Sequence, residues 1–495
     1  MSHQTKQYLQ DRLANLTKFI ENNYEFLSLA LLFFCLRLPS LLAHEIVNDE
    51  GIYAAIAKQM TLGKTLYVTI WDHKPPLLFG LYYVAGVLSQ FNHLYFWVRL
   101  IAIAGGIYSI NLMRKIVMEL KFPERLRYYV LLVFTVLLGA PIYLNYEANA
   151  EVFIVLFVLI LLYSLLKRKS FYLLGGLLFL GLCLKVQGFI ELAGIAGIFI
   201  FFYDSSAIKQ KAISVIQLIL GFSIPFGISA IILNKYGLFS YYVDTILFSN
   251  LTYTGLINPT VNLVRTIFPI RYIVYIAFTF IVTIYSYMSI TKKISRIDAL
   301  CIGIFIIEAF CVVFPLRSYA HYFIQLLPGI TLLIAVSISN YIASNKKMLT
   351  YSTIAIIFVH LFFFSDLFFF HVTRHDAIDL QWLSELTSIE YSNKISAFSV
   401  RTNKEYAGKK VFLYTSQPWN FVYLTTPTVN KYVFTQQYWI DLNTQKEALE
   451  EIRNADIAIF DDYSVKDKEM LLLLKDSLTY QYSLNGYNYY SVNSK

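Results

Sequence analysis

Residues 44–76 read HEIVNDEGIYAAIAKQMTLGKTLYVTIWDHKPP and hold four acids (Glu45, Asp49, Glu50, Asp72) and three lysines (Lys58, Lys64, Lys74). An adjacent Asp49-Glu50 pair stands just past a long apolar segment, and Lys74-Pro75-Pro76 closes the run. A loop that only joined two membrane helices needs a handful of residues. Three later polar joints add to the inventory: 145–151 with Glu147 and Glu151, the turn Lys185-Val186-Gln187, and 317–322 with Arg317, His321 and Tyr322. An acid at a membrane surface can take the proton of an acceptor hydroxyl. Lysine, arginine and histidine beside it can hold a lipid phosphate and stabilise the charge gained by a leaving group. No Walker loop, HExxH or GxSxG run offers a rival chemistry. Purely structural readings stand beside these: Asp49 as a helix cap, Lys185 snorkelling at a hairpin turn, His321-Tyr322 as an interfacial anchor, Glu147 as a solvated loop acid. A divalent cation shared by Asp49 and Glu151 is a further alternative, thinly supported without histidines or more carboxylates at fixed spacing.

These groups need a scaffold, and the composition names its solvent. With 57% hydrophobic and 15% charged residues, most of the chain is solvated by lipid. The formal charge is +9, but residues 371–495 hold 13 basic against 15 acidic side chains. The basic excess therefore flanks the apolar runs, which argues for membrane topology and against nucleic acid. Cys35, Cys183, Cys301 and Cys311 all lie in apolar runs, with no disulfide framework and no CxxC. No small-residue cleavage site follows the polar N-terminal segment, so the first apolar run is expected to stay as an anchor.

Eleven spans are predicted, at 25–43, 94–113, 128–144, 152–166, 171–184, 188–203, 212–233, 267–290, 297–314, 322–341 and 349–370. Arg37, near the outer end of the first, is expected to snorkel or to face the protein interior, with snorkelling slightly favoured. The apolar run 77–91 would be a helix of about 22 Å, too short for a hydrocarbon core of about 30 Å, and is read as lying in the interface. With the N-terminus inside, cytoplasmic segments take 18 basic residues, Lys167, Arg168 and Lys169 among them, and every such loop has at least two. An odd count places the tail outside, and residues 44–93 become a large first external loop.

The division expected is a membrane domain over 1–370 and a small extracytoplasmic α/β domain over 371–495. Within the tail, 410–415, 421–425 and 457–460 read as strands, and 448–454 and 466–478 as helices. The tail holds no constellation readable as a site.

Asp49-Glu50-Gly51-Ile52-Tyr53, then Gly63, then Asp72-His73-Lys74-Pro75-Pro76 resembles the first external loop of GT-C glycosyltransferases. The likeness is to the branch of protein O-mannosyltransferases and lipid A aminoarabinose transferases. Glu151-Val152-Phe153 is similar to that branch's second-loop acid, and the run from Arg317 through His321-Tyr322 to Pro328 to its late His-Tyr…Pro segment. The resemblance implies a multi-pass enzyme of the bacterial inner or plasma membrane. It moves a sugar, with inversion, from a polyprenyl phosphate to a protein, lipid or glycan acceptor outside the membrane. By motif position it implies Asp49 as base, Glu50 as its partner in positioning the acceptor, and Lys74 as a phosphate contact. Glu151, Lys185, Arg317, His321 and Tyr322 become substrate-binding candidates. The competing class is a transporter or flippase of lipid-linked sugars. Transporters bind near the midplane, often with paired halves. Here no repeat is found, and the polar residues crowd one rim.

Overall fold

The first helix, α1 (His3–Leu42), begins polar and ends apolar, so it starts in water and continues as the candidate span Asn23–Leu41. The computed structural model describes residues 3–42, 48–139, 147–250, 294–315, 320–344, 389–435, 442–461, 477–484 and 486–493. After α1 come α2 (Asn48–Thr61), α3 (Pro76–Ser89), α4 (Leu94–Glu119), α5 (Glu124–Gly139), α6 (Ala150–Leu166), α7 (Phe171–Leu184), α8 (Val186–Ile198) and α9 (Ile208–Lys235). Helices Arg296–Val313 and Leu327–Ser344 complete the described bundle.

Five of the described helical stretches are long and apolar enough to cross a membrane: Asn23–Leu41, Leu94–Glu119, Val186–Tyr203, Ile208–Lys235 and His321–Asn340. Shorter apolar helices α3, α6 and α7 accompany them. The spans expected at 267–290 and 349–370, and the end of 128–144, lie outside the described residues. The count of eleven therefore stays an expectation. Residues 77–91 do form a short helix, α3, whose 14 residues extend about 21 Å. Pro75 and Pro76 set its start, and Gln90 ends it in the left-handed conformation (φ 54°). One face of α3 buries Leu78, Phe79 and Tyr82, while Val87 and Leu88 stay exposed.

Helices α1, α4 and α5 pack on one another, α4 on α6, α6 on α8, and α7 on α9. The α7–α9 approach is set by glycine: a Cβ on Gly175 would sit 2.2 Å from the Leu218 carbonyl oxygen, and one on Gly221 2.1 Å from that of Tyr172. Small residues let helix backbones approach where no hydrophobic drive exists. For Arg37 the less favoured of the two expectations holds. Its side chain is 3% exposed, so it faces the protein rather than snorkelling. An intramembrane arginine is cheaper against protein groups than against lipid.

Behind the bundle, a helix (Ile389–Glu405) and a second (Leu442–Arg453) flank a four-stranded sheet in the order β1-β2-β4-β3. Strand β1 (Val411–Tyr414) runs parallel to β2 (Ile457–Asp461). Strands β3 (Leu478–Leu484) and β4 (Tyr487–Val492) make an antiparallel hairpin, with β4 against β2 and Gly486 at φ 84° in the turn. The hairpin was not anticipated. Residue 478 begins a strand rather than ending a helix, and the rest of the helix expected over 466–478 falls mostly outside the described residues.

The strand expected over 421–425 is absent for a clear reason. Pro418–Phe421 is a 3₁₀ turn, and the Asn403 side chain donates to the Tyr423 carbonyl (2.9 Å) and accepts from Thr425 N (2.9 Å). That amide stands in for a strand neighbour. Phe421, Val422 and Leu424 are apolar because they are buried, not because they alternate in a sheet.

The tail clasps the first loop. Trp419 packs on Gly51, where a Cβ would meet its ring at 2.9 Å. Gln59 accepts from Thr428 N (3.1 Å), Trp71 N donates to the Lys431 carbonyl (2.8 Å), and the Lys64 ammonium donates to the Asn430 carbonyl. Asn430, fully buried, also accepts from Leu413 N (2.8 Å) and donates to the Leu413 carbonyl (2.9 Å). Asn430→Ala leaves those buried groups without partners, at about 1–3 kcal/mol each. It should lower the thermal unfolding midpoint of the purified protein. An unchanged midpoint would show that this amide does not hold the edge of β1.

Candidate active site

Asp49 and Glu50 occupy the first turn of α2, and their neighbouring positions send them to different places. Glu50 is fully buried. Arg99 of α4, also fully buried, donates Nε to both of its oxygens (3.1 and 3.0 Å) and an Nη to Oε2 (2.5 Å). Ala148 N donates to Glu50 Oε1 (2.8 Å), and Arg99 donates onward to the Ser40 carbonyl (2.7 Å). This pair ties α1, α2, α4 and the joint before α6 into one knot. Glu50 is thus held inside the fold by Arg99 and Ala148, where the sequence reading expects it to help position the acceptor.

Asp49, one residue earlier, is half-buried, and no hydrogen bond or ion pair among the described residues takes up its carboxylate. Around it the loop turns back. Asp72 Oδ1 accepts from Lys74 N (2.9 Å), closing an Asx turn before the two prolines. The turn carries the Lys74 ammonium over the Tyr53 ring, 4.8 Å from its centre. Tyr67 OH donates to the Lys74 carbonyl (2.7 Å), and Asn250 donates to the His73 carbonyl (2.8 Å). Burial pushes the His73 imidazole down to about 4, although Asp72 pulls the other way, so it is neutral near pH 7. Burial, and then the charges of Asp49, Glu151 and Asp72, hold the Tyr53 phenol well above its usual range. All three carboxylate charges thus act on the Tyr53 phenol.

The bundle supplies the other wall. Lys185 is the single extended residue between α7 and α8. It pairs with Glu151 in the first turn of α6 (2.5 Å) and lies over the Tyr322 ring, 3.8 Å from its centre. His321 Nε2 sits 4.0 Å from the same Glu151 oxygen, and Asp49 and Lys74 lie within its electrostatic reach. The structure thus brings together Asp49, Lys74, Glu151, Lys185, His321 and Tyr322 from four separate stretches. Arg317 lies outside the described residues.

Glu147 departs from its expected solvated position. It is 6% exposed, and Asn149 donates to its carboxylate. Burial, followed by the nearby charges of Asp49 and Glu50, raises its pKa well above the usual carboxylate range. A cation shared by Asp49 and Glu151 does not fit this geometry, because the Glu151 oxygen already faces the Lys185 ammonium. Among the described residues no group of three or more His, Cys, Asp or Glu is placed to hold a metal.

Tyr53 and His73 belong to the first-loop motif but carry no role in it, and Arg99 lies outside every motif in the sequence. Arg99 carried a usable signal, since an arginine inside an apolar span requires an anionic partner. Arg99→Met should strand the Glu50 charge in the interior and destabilise the fold by about 3–5 kcal/mol. The double change Glu50→Gln, Arg99→Met should recover part of that loss in chemical denaturation. Equal loss in both would mean that packing, rather than charge, holds the knot.

No protein-family model matches the chain, and no curated protein sequence does. Its structure is similar to that of ArnT from Cupriavidus metallidurans bound to undecaprenyl phosphate, with TM-score 0.53 and 11% identity over 95% of this chain and 98% of that one. The Archaeoglobus fulgidus oligosaccharyltransferase, tethered to an acceptor peptide containing the NVT sequon, matches with TM-score 0.49 and 12% identity over 96% of this chain and 75% of its own. The first likeness is one of fold: the chain shares the fold of that ArnT over nearly the whole length of both.

Proposed function

We propose that this protein is an integral-membrane glycosyltransferase that moves a sugar from a polyprenyl phosphate to an acceptor at the rim where Asp49 lies. One observation carries the reading: the Asp49 carboxylate, taken up by no hydrogen bond or ion pair among the described residues, acts together with the Lys74 and Lys185 ammoniums on the same two histidines, His73 and His321. In the reaction an acceptor O–H (or N–H) attacks the anomeric carbon from the side opposite the phosphate. The C1–O bond to phosphate breaks, the sugar inverts, and the acceptor proton passes to Asp49. The released phosphate gains negative charge, which Lys74 and Lys185 stabilise. Lys185 is held by Glu151 until the donor phosphate competes for it, and Tyr322 keeps its ammonium aimed. ArnT, whose structure holds undecaprenyl phosphate, supports a donor of that class. The charge asymmetry along the chain supports placing the rim, and the tail that clasps it, outside the membrane.

The transporter reading draws on a different observation. Deep in the bundle Gln325 donates to Glu191 (3.2 Å) and Gly329 N to Glu308 (2.7 Å). One oxygen each of Glu191, Glu308 and Gln325 is buried without a hydrogen-bond partner among the described residues. Polar groups at such depth often mark a transport path. Paired measurements separate the two readings. Asp49→Asn should cut single-turnover transfer by about 10² or more with little change in donor affinity, because it removes only the proton acceptor. Lys74→Ala should weaken donor binding about ten- to a hundredfold, the loss of one charge-assisted contact. A wild-type protein that moves donor lipid across vesicles without releasing polyprenyl phosphate would favour transport. Near wild-type transfer by Asp49→Asn would remove Asp49 as base.

A further inference from the structure

The end of the bundle away from Asp49 has a cavity of its own. Helix α6 starts beside Glu151, α7 ends at Lys185 and α8 starts there, so their other ends meet far from the active rim. At 1.5 Å per residue, Arg168 lies about 25 Å along from Glu151. There the end of α6, the start of α7, the π-helical turn Phe199–Tyr203 and the first turns of α9 line a half-open pocket of about 390 Å³. Arg168, Lys169, Asp204, Gln210, Ser214 and Gln217 supply its polar lining.

Gln210, Ser214 and Gln217 are spaced i, i+4, i+7 and share one face of α9. That helix is otherwise lipid-grade, with a mean hydropathy of 2.2 in its most apolar window. Gln210 is exposed between Lys209 and Lys211, Gln217 is half-buried, and Ser214 is buried, so the cost of an unmatched polar group falls on the inner part of this face. Among the described residues no hydrogen bond takes up these three side chains, although Ser214 is only 3% exposed. Asp204 aims Arg168 into place: its Oδ1 accepts from the guanidinium (3.0 Å), and Ser206 Oγ holds Oδ2 (2.6 Å). Arg168 holds this place at φ 51°, in the left-handed region. Lys169 has no ion pair among the described residues, and Lys209 and Lys211 add charge at the start of α9. Beyond the cavity the Gly175–Gly221 approach brings α7 and α9 together and closes its inner end. Outward, α9 presents exposed Ile213, Ile216 and Leu220.

We propose that this cavity binds the phosphate of an anionic phospholipid headgroup. The lipid comes from the leaflet at the Lys167–Lys169 end, the cytoplasmic one by charge asymmetry. Arg168 and Lys169 take phosphate oxygens. Gln210, Ser214 and Gln217 hydrogen-bond the headgroup hydroxyls and the ester oxygens. The acyl chains lie on the exposed isoleucine face, which a free phosphate would leave bare.

The test uses the full chain, reconstituted in phosphatidylcholine bilayers doped with phosphatidylglycerol and re-extracted. Native mass spectrometry counts retained phosphatidylglycerol, with and without millimolar inorganic phosphate. About one phosphatidylglycerol should remain on the wild type and resist inorganic phosphate. Lys169→Ala combined with Gln217→Leu should lower retention about tenfold or more, while Lys169→Arg keeps it. If the double variant fails to fold, Arg168→Gln serves with the same expected loss. Equal retention by wild type and the lowered-charge variants would overturn the proposal. So would displacement of the lipid by inorganic phosphate.

Discussion

The Glu50–Arg99 ion pair is the constraint on which the rest of the site depends. Two charges with no exposure to solvent are stable only as a well-formed pair with their remaining valences filled. Arg99 fills its own through Ser40 of α1, and Glu50 through the backbone of Ala148. Four parts of the chain are thereby fixed to one point. Because Glu50 is anchored, the first turn of α2 cannot rotate, and Asp49 is turned to the other side. Adjacent acids on one helix thus serve different ends, one holding the fold and one standing open at the site.

A second constraint comes from the tail. A first loop this long would be floppy if only its ends were held, since its own core is thin. The clasp of Trp419 on Gly51, Gln59 on Thr428 and Trp71 on Lys431 gives α2 and the following turn a second wall. The Asx turn at Asp72 then sets where Lys74 emerges. Through this clasp the tail can govern how well Asp49 and Lys74 are aligned, because positioning accounts for much of catalysis.

The candidate site was more legible than the tail. In a chain so apolar, Asp49, Lys74, Glu151, Lys185 and His321 could only gather at an edge or inside the bundle. The motif around Asp49-Glu50 and Lys74-Pro75-Pro76 told which edge. What stayed hidden was the split between Asp49 and Glu50, which turns on Arg99, a residue 49 positions away. The burial of Glu147 was hidden likewise, since it depends on how the joint before α6 packs in the fold. In the tail, 421–425 carries an apolar signal of the kind a strand has, but its backbone is satisfied by the Asn403 side chain. The β3–β4 hairpin mixes tyrosines with polar residues on both faces, which blurs its alternation.

The most direct test of the site is a structure determined with a non-reactive polyprenyl phosphate bound. The account predicts the phosphate within about 3 Å of the Lys74 or Lys185 ammonium, with Asp49 on the open side of the anomeric position. It also predicts that the Glu50–Arg99 pair is unchanged from the free protein. A headgroup seated instead against Glu191 and Glu308 in the middle of the bundle, with Lys74 and Lys185 untouched, would contradict it.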